Sequence, residues 1–172
     1  MNPTVTLQIN NEKTIECELF VDVVEDTANN FLQLASNGFY DGLIFHRVIP
    51  SFMIQGGCPL KNGTGGPGYT IPGQFKSNGF DNNIKHKRGV LSMARAQHPD
   101  SAGSQFFIMV ADAPHLDGQY AAFGEVTSGM EVVDDIVSVK RSPFDKPLED
   151  IIISKVTVSL NGYTLKPVVK TA

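Results

Sequence analysis

The sequence predicts a mainly β fold, a sandwich or barrel accompanied by two helices. Three observations lead there. Apolar and polar residues alternate along both arms of an opening hairpin, and a series of short β-like runs follows, each bounded by Gly, Pro or Asp. Only two stretches carry the i, i+3, i+4 spacing of an amphipathic helix.

In the hairpin, Val5, Leu7 and Ile9 alternate with polar neighbours, as do Ile15, Cys17 and Leu19, and Asn10-Asn11-Glu12 between them has turn chemistry. A helix is expected from Glu25 to Asn37, where Ala28, Phe31, Leu32 and Ala35 share a face and Gly38 stands where a helix would stop. Short strands are expected at 44–49, 52–56, 89–94, 106–110 and 121–126. Met130, Val133, Ile136 and Val137 mark a second helix just after Ser128-Gly129, and the last strand runs from Asp150 to Leu160. Asn161-Gly162 breaks that pattern. The domain is therefore expected over residues 1–160, with 161–172 a loosely attached C-terminal tail.

With 172 residues the chain fits one domain, long enough to fold without a disulfide or a metal. Hydrophobic residues make up 41% and charged residues 19%, with 14 basic against 18 acidic side chains and a net charge of −4. A negative chain repels a phosphate backbone, so nucleic acid is not expected as a partner. The opening Met-Asn-Pro-Thr-Val-Thr-Leu lacks the basic and apolar regions of a secretory signal, and no apolar run approaches the roughly 20 residues of a membrane span. A cytoplasmic address with no membrane partner is the expectation. Cys17 and Cys58 sit in no C-x-x-C or Cys/His spacing and read as free thiols. No feature points to an assembly, so a monomer is expected.

Seven of the 16 glycines and three of the 10 prolines fall between Gly56 and Gly73, too many for a regular element, which makes this a long, shaped surface loop. Within it Gly63, Gly65 and Gly68 satisfy G-x-G-x-x-G. Dinucleotide binding needs those glycines to lead from a strand into a helix, and Pro67 and Pro72 forbid the helix. The four histidines form no metal-binding pair, and Asp134/Asp135 and Glu149/Asp150 lie in polar stretches, so neither a metal nor a cofactor is expected. Ser92 and Ser104 lack a nucleophile elbow, with no His and Asp assignable to them. Lys85-His86-Lys87-Arg88 reads as a solvated turn.

Two segments stand out. Ile44-Phe45-His46-Arg47-Val48-Ile49-Pro50-Ser51-Phe52-Met53-Ile54-Gln55-Gly56-Gly57 places one guanidinium in an apolar β run, a costly position unless the charge is paired or faces a wet ligand site. Strict alternation puts Phe45, Arg47 and Ile49 on one face, and His46 and Val48 on the other. Gly103-Ser104-Gln105-Phe106-Phe107-Ile108-Met109 similarly puts Gln105 and Phe107 on a common face.

The phrase from Phe45 to Gly57 closely resembles the signature of the cyclophilins. Asn62-Gly63-Thr64-Gly65-Gly66, Gly89 to Ala94, Gly103 to Ile108, Leu116-Asp117-Gly118 and Phe123-Gly124-Glu125-Val126 resemble that family's successive blocks, in order, over residues 3–160. The resemblance implies an eight-stranded antiparallel β-barrel capped by two α-helices. It also implies a peptidyl-prolyl cis-trans isomerase that accelerates rotation of X-Pro bonds, assists protein folding and acts on proline-containing peptides and folding proteins. By motif position, Arg47, Phe52 and Gln55 would be catalytic, and Met53, Ala94, Arg95, Gln105, Phe107, His115, Leu116 and Tyr120 would bind substrate. The competing reading is a proline-peptide binding module or chaperone without catalysis. Retention of Arg47 beside Phe52 and Gln55 argues against it, because ground-state binding of a proline ring needs an aromatic wall but no guanidinium.

Three positions depart from the best-known eukaryotic members: Arg95 replaces Asn, His115 replaces Trp and Tyr120 replaces His, a pattern similar to cytosolic bacterial cyclophilins. The family's inhibitor cyclosporin is therefore expected to bind weakly, since imidazole supplies less apolar area than the indole. Introducing the larger ring in His115→Trp should strengthen cyclosporin inhibition by about one to two decades. Titrating both proteins with the drug in one isomerase assay checks this, and tight inhibition of the unaltered chain would contradict it.

Overall fold

The structure is a computed structural model and describes residues 1–171. Eight strands form one sheet: β1 (Thr4–Ile9), β2 (Lys13–Leu19), β3 (Phe45–Ile49), β4 (Met53–Gly56), β5 (Val90–Met93), β6 (Phe106–Met109), β7 (Ala122–Ser128) and β8 (Ile153–Ser159). Their order is β3-β4-β6-β5-β7-β2-β1-β8, and every neighbouring pair is antiparallel. The sheet curls until its two edges meet. Ile44 bridges Ile152, the Phe45 amide donates to the Ile151 carbonyl at 3.0 Å, and the Ile153 amide donates to the Leu43 carbonyl at 2.7 Å. This is the expected eight-stranded barrel, closed at one seam by a short bridge in place of a full ladder.

The two helices are α1 (Glu25–Ser36) and α2 (Met130–Val137). The opening hairpin turns on Asn10 and Asn11, both left-handed with φ of 52° and 56°, a conformation that asparagine tolerates better than most residues. Helix α1 lacks a side-chain cap from its own N-cap residue, Val24. A distant residue supplies one: Gln74 Oε1 accepts the Thr27 amide at 2.8 Å, satisfying a donor that the first turn leaves open. Gly38, with φ of 75°, ends the helix as its position predicts.

Apolar side chains collect in two places. The inner cluster fills the barrel, where Phe31 of α1 stacks on Tyr40 at 4.8 Å and meets Phe106 edge-on at 5.2 Å and Phe123 at 5.3 Å. The outer cluster lies on the opposite face of β4, β5 and β6 and contains Met53, Val90, Phe107, Met109, Ala113, Leu116 and Ala122. Strands β5 and β6 consequently have no exposed residue. This two-sided burial explains why they read as unbroken apolar runs.

Two expectations need correction. The tail is not loosely attached. The Asn29 amide donates to the Lys166 carbonyl at 2.9 Å while its Oδ1 accepts the Lys166 amide at 3.0 Å, and Tyr163, Leu165 and Val168 pack against the core. The Thr171 amide pairs with the Thr70 carbonyl at 2.8 Å. Asn29 is buried on α1, and only the tail satisfies both ends of its amide.

Nor is the 85–88 run wholly a solvated turn, because His86 is 1% exposed. Its ring joins two segments: Nδ1 lies 3.1 Å from Asp117 Oδ1 and Nε2 lies 2.9 Å from Ser92 Oγ. Burial lowers the His86 pKa from its ordinary 6.5, more than the bond and charge of Asp117 raise it. A neutral ring donates from Nδ1 to the carboxylate and accepts the Ser92 hydroxyl at Nε2. His46 is also buried, and burial with the charges of Arg47 and Lys146 lowers its pKa too.

Both observations carry consequences for stability. Asn29→Ala should cost about 1 to 3 kcal/mol in urea unfolding, by leaving buried partners in the tail unpaired, whereas a loose tail would leave stability unchanged. Both histidine pKa values are lower folded than unfolded, so the unfolded chain binds protons more readily near pH 6. Stability should be full above the ordinary histidine value of 6.5 and fall as pH drops through it. Asp117 stays ionised because bonds from His86 outweigh the effect of burial, so its contribution is lost only below the ordinary carboxylate value of 3.8. Urea midpoints measured from pH 7.5 to 5 should fall, with a shallower slope in His86→Asn, and a flat profile would contradict the assignment.

Candidate active site

The outer cluster does not close over itself, and its edge forms a pocket of about 280 Å³, at the small end for ligand sites. Nine of the residues singled out from sequence line it: Arg47, Phe52, Met53, Gln55, Ala94, Arg95, Phe107, Leu116 and Tyr120. They come from β3, the turn between β3 and β4, β4, β6, the segments after β5 and before β7, and the 3₁₀ turn Pro114–Leu116. Gln105 lines an adjoining groove and is bonded to Gln55. His115 lies at the rim, exposed, with its ring stacked on Phe52 at 6.0 Å and 28°.

Local backbone features aim these groups. Strict alternation had Phe45 and Arg47 on one face, and the structure overturns this. The β3–β4 register shifts between Phe45 and Arg47, so that Phe45 pairs with Gly56 and Arg47 with the adjacent Gln55. An irregularity of this kind inserts one unmatched residue, His46, and rotates the remainder of the strand. Phe45 and Val48 pack in the inner cluster, whereas Arg47 emerges at the pocket and Ile49 packs on the outer cluster. The next turn, Ile49-Pro50-Ser51-Phe52, has proline at its second position and Ser51 at φ 62° in its third, with the Phe52 amide donating to the Ile49 carbonyl at 3.1 Å. It delivers Phe52 to the pocket rim.

A chain of hydrogen bonds crosses the site. Arg47 Nη1 donates to Gln55 Oε1 at 3.4 Å, Gln55 Nε2 donates to Gln105 Oε1 at 3.0 Å, and Gln105 Nε2 donates to the carbonyls of Gly63 and Gly65 at 2.9 Å each. The glycine-rich loop thus anchors the polar wall. On the apolar side, Phe107 meets Tyr120 edge-on at 5.8 Å and lies nearly parallel to His86 at 6.1 Å. Arg95 sits between the rings of Phe75 and Tyr120, 4.8 and 4.7 Å from their centroids, and donates to the carbonyls of Gln119, Ala96 and Gln97.

Three residues supporting this site escaped sequence reasoning. Asp117, His86 and Ser92 form a relay beneath Phe107, and only the fold brings Asp117 to the other two. The hint was a histidine just before a strand whose outward positions include Ser92. The relay has the residue types of a hydrolase triad, yet Ser92 is wholly buried, so its hydroxyl meets no substrate. Cys58 is also buried. Burial pushes its thiol up, and bonds from the backbone of Asn62, Gly65, Gly63 and Leu60 outweigh this and hold its pKa below the ordinary value. Among the described residues no cluster of His, Cys, Asp and Glu could hold a metal ion.

Known proteins share this architecture and sequence. The family model for cyclophilin type peptidyl-prolyl cis-trans isomerase matches residues 4–158. The chain is 46% identical over 159 residues to the Arabidopsis thaliana peptidyl-prolyl cis-trans isomerase CYP18-1, covering 92% of this chain and 97% of that one. It is 53% identical over 117 residues to peptidyl-prolyl cis-trans isomerase B of Bacillus subtilis, covering 68% and 78%. A crystal structure of a Cryptosporidium parvum cyclophilin type isomerase superposes with a TM-score of 0.85 at 32% identity, covering 92% of this chain and 98% of that one. The same protein crystallised in the presence of the dipeptide Ala-Pro gives a TM-score of 0.83. With a family model spanning nearly the whole barrel and relatives this similar, the chain belongs to the cyclophilin-type peptidyl-prolyl cis-trans isomerases.

Proposed function

We propose that the pocket between Arg47 and Tyr120 is where this isomerase binds and turns the prolyl bond, with Arg47 as the catalytic donor. The observation that carries this reading is an exposed guanidinium with no carboxylate partner among the described residues, beside an apolar pocket sized for a few side-chain groups. The likeness to a structure crystallised with Ala-Pro supports a proline-containing peptide as ligand.

The reaction makes and breaks no covalent bond. Its barrier of about 18 to 20 kcal/mol comes from amide resonance, which is lost when the bond twists. At the twisted geometry the imide nitrogen regains a lone pair, so a donor aimed there binds the transition state better than either planar ground state. Arg47 has donors to spare, since among the described residues its side chain makes one hydrogen bond, a long contact to Gln55. Gln55, held in turn by Gln105, steadies the guanidinium. Phe52, Met53, Phe107 and Leu116 supply apolar surface for the proline ring, holding one side of the bond while the other rotates. Ala94, Arg95, Gln105 and Tyr120 border the path of the flanking peptide, and His115 extends the aromatic wall at Phe52. Folding chains that expose X-Pro bonds are the substrates this implies, and the unpaired thiols Cys17 and Cys58 support a reducing compartment such as the cytoplasm.

Arg47→Ala should leave circular dichroism unchanged and lower kcat/KM by roughly 10² to 10³, the loss typical of one preorganised donor. Arg47→Lys should also be poor, because a compact ammonium does not reproduce the planar fork. A protease-coupled assay on a prolyl tetrapeptide measures both. Near-normal turnover in well-folded Arg47→Ala would remove Arg47 from the mechanism, and no turnover in the unaltered protein would favour a binding module.

A further inference from the structure

We propose that this isomerase favours prolyl bonds flanked by an acidic side chain, selected by Arg95 together with Arg47 along a groove that is lined by no Asp or Glu. The proposal rests on the reading of the pocket as the proline site and adds the class of peptide that it takes.

The proline pocket continues into the adjoining groove, and the two share Gln55, Ala94 and Arg95. Neither is lined by any Asp or Glu, and among the described residues Arg47 and Arg95 are the only charged ones in either. The chain as a whole is negative, at −4, so this is a positive strip on an acidic protein.

The four arginines divide sharply. Outside the groove, Arg88 makes a bidentate pair with Asp134 at 2.7 Å for each bond, and Arg141 pairs with Asp145 at 3.1 Å. Inside it, Arg47 and Arg95 have no carboxylate partner among the described residues. Arg95 is held by neutral groups alone. Nε and Nη2 donate to the Gln119 carbonyl at 3.1 and 2.6 Å, and Nη1 donates to the carbonyls of Ala96 and Gln97 at 3.0 and 3.1 Å. Two aromatic faces fix its plane. Carbonyls and rings orient a guanidinium without cancelling its net charge, and one Nη2 hydrogen is left over.

The two carboxylates next in sequence to lining residues, Asp117 beside Leu116 and Asp100 beside Ser101, are occupied elsewhere. Asp117 accepts the backbone amide of His86 at 2.6 Å and faces its ring, and Asp100 accepts from the Gly73 amide and Asn78 at 2.9 Å each. A substrate carboxylate is therefore the missing partner. With proline seated in the pocket, an extended peptide advances about 3.3 to 3.6 Å per residue, so a side chain within two or three residues of proline passes Arg95.

The test is exchange NMR, which needs no protease, on short peptides carrying Glu, Gln or Lys two residues before or two residues after proline, at 0.05 and 0.5 M salt. At low salt, catalysed exchange should be roughly 3- to 10-fold faster for Glu than for Gln on one side of proline, and slower still for Lys. The ratio should shrink toward 1 at high salt, where an exposed charge pair is screened. In Arg95→Gln the Glu-to-Gln ratio should likewise collapse. Because that ratio is taken within one protein, it reads selectivity whatever the variant does to overall turnover. Equal rates for all three side chains at low salt would overturn the proposal, as would a ratio that survives Arg95→Gln. Failure to accelerate even the Gln peptides would instead overturn the reading of the pocket itself.

Discussion

Strands β4, β5 and β6 have to satisfy two hydrophobic surfaces at once, and most of the molecule depends on how they do so. Ile54, Leu91, Phe106 and Ile108 point into the barrel, where α1 supplies Phe31 to complete an aromatic centre. Their sheet neighbours Met53, Val90, Phe107 and Met109 point outward and need a second cover. The chain provides it with the segment from Ala113 to Ala122, which brings Leu116 and Tyr120 over the outer face. That cover is incomplete, and the gap at its edge is the pocket lined by Arg47, Phe52 and Phe107, the one proposed to seat proline. Pocket and second core are one construction, sharing Met53, Phe107 and Leu116, which gives the pocket a rigid floor.

The polar wall has a different origin. A flexible glutamine or arginine at a surface would sample many rotamers, and ordering it costs roughly 1 to 2 kcal/mol of side-chain entropy. Here the glycine-rich loop fixes Gln105 through two carbonyls, Gln105 fixes Gln55, and Gln55 restrains Arg47. The loop can lie close because Gly57, at φ 89°, runs where a Cβ would sit 2.6 Å from the Ser104 carbonyl. Ser104 Oγ in turn donates to the Gly57 carbonyl at 2.7 Å, closing the loop base on the start of β6. The loop whose spacing mimics a dinucleotide fingerprint thus preorganises side chains.

Charge is placed with the same economy. Arg88 and Arg141 end on carboxylates at the surface, where such pairs contribute little to stability. Arg47 and Arg95 keep their charge available at the groove, while the buried His86 and Ser92 and the half-buried Asp117 satisfy their polar atoms among themselves. In this relay the group stacked beneath Phe107 is the neutral imidazole of His86, and the charge stays on the half-buried Asp117 at the far end.

Periodicity and motif resemblance together settled much of this protein. Alternation located the hairpin, the i, i+3, i+4 pattern located both helices, and the ordered motifs from Phe45 to Val126 identified the family and the residues that converge on the pocket. These are legible because each depends on neighbours within a few positions, where strand and helix periods act directly. The tertiary structure decided the rest. The bulge at His46 sends Arg47 to the opposite face from Phe45, and only the register against Gly56 and Gln55 determines it. Asp117 meets His86, and Lys166 meets Asn29, across 31 and 137 positions. No local pattern encodes such pairs, because what drives them is the need of a buried polar group for a partner, and that need exists only once the barrel has removed the water.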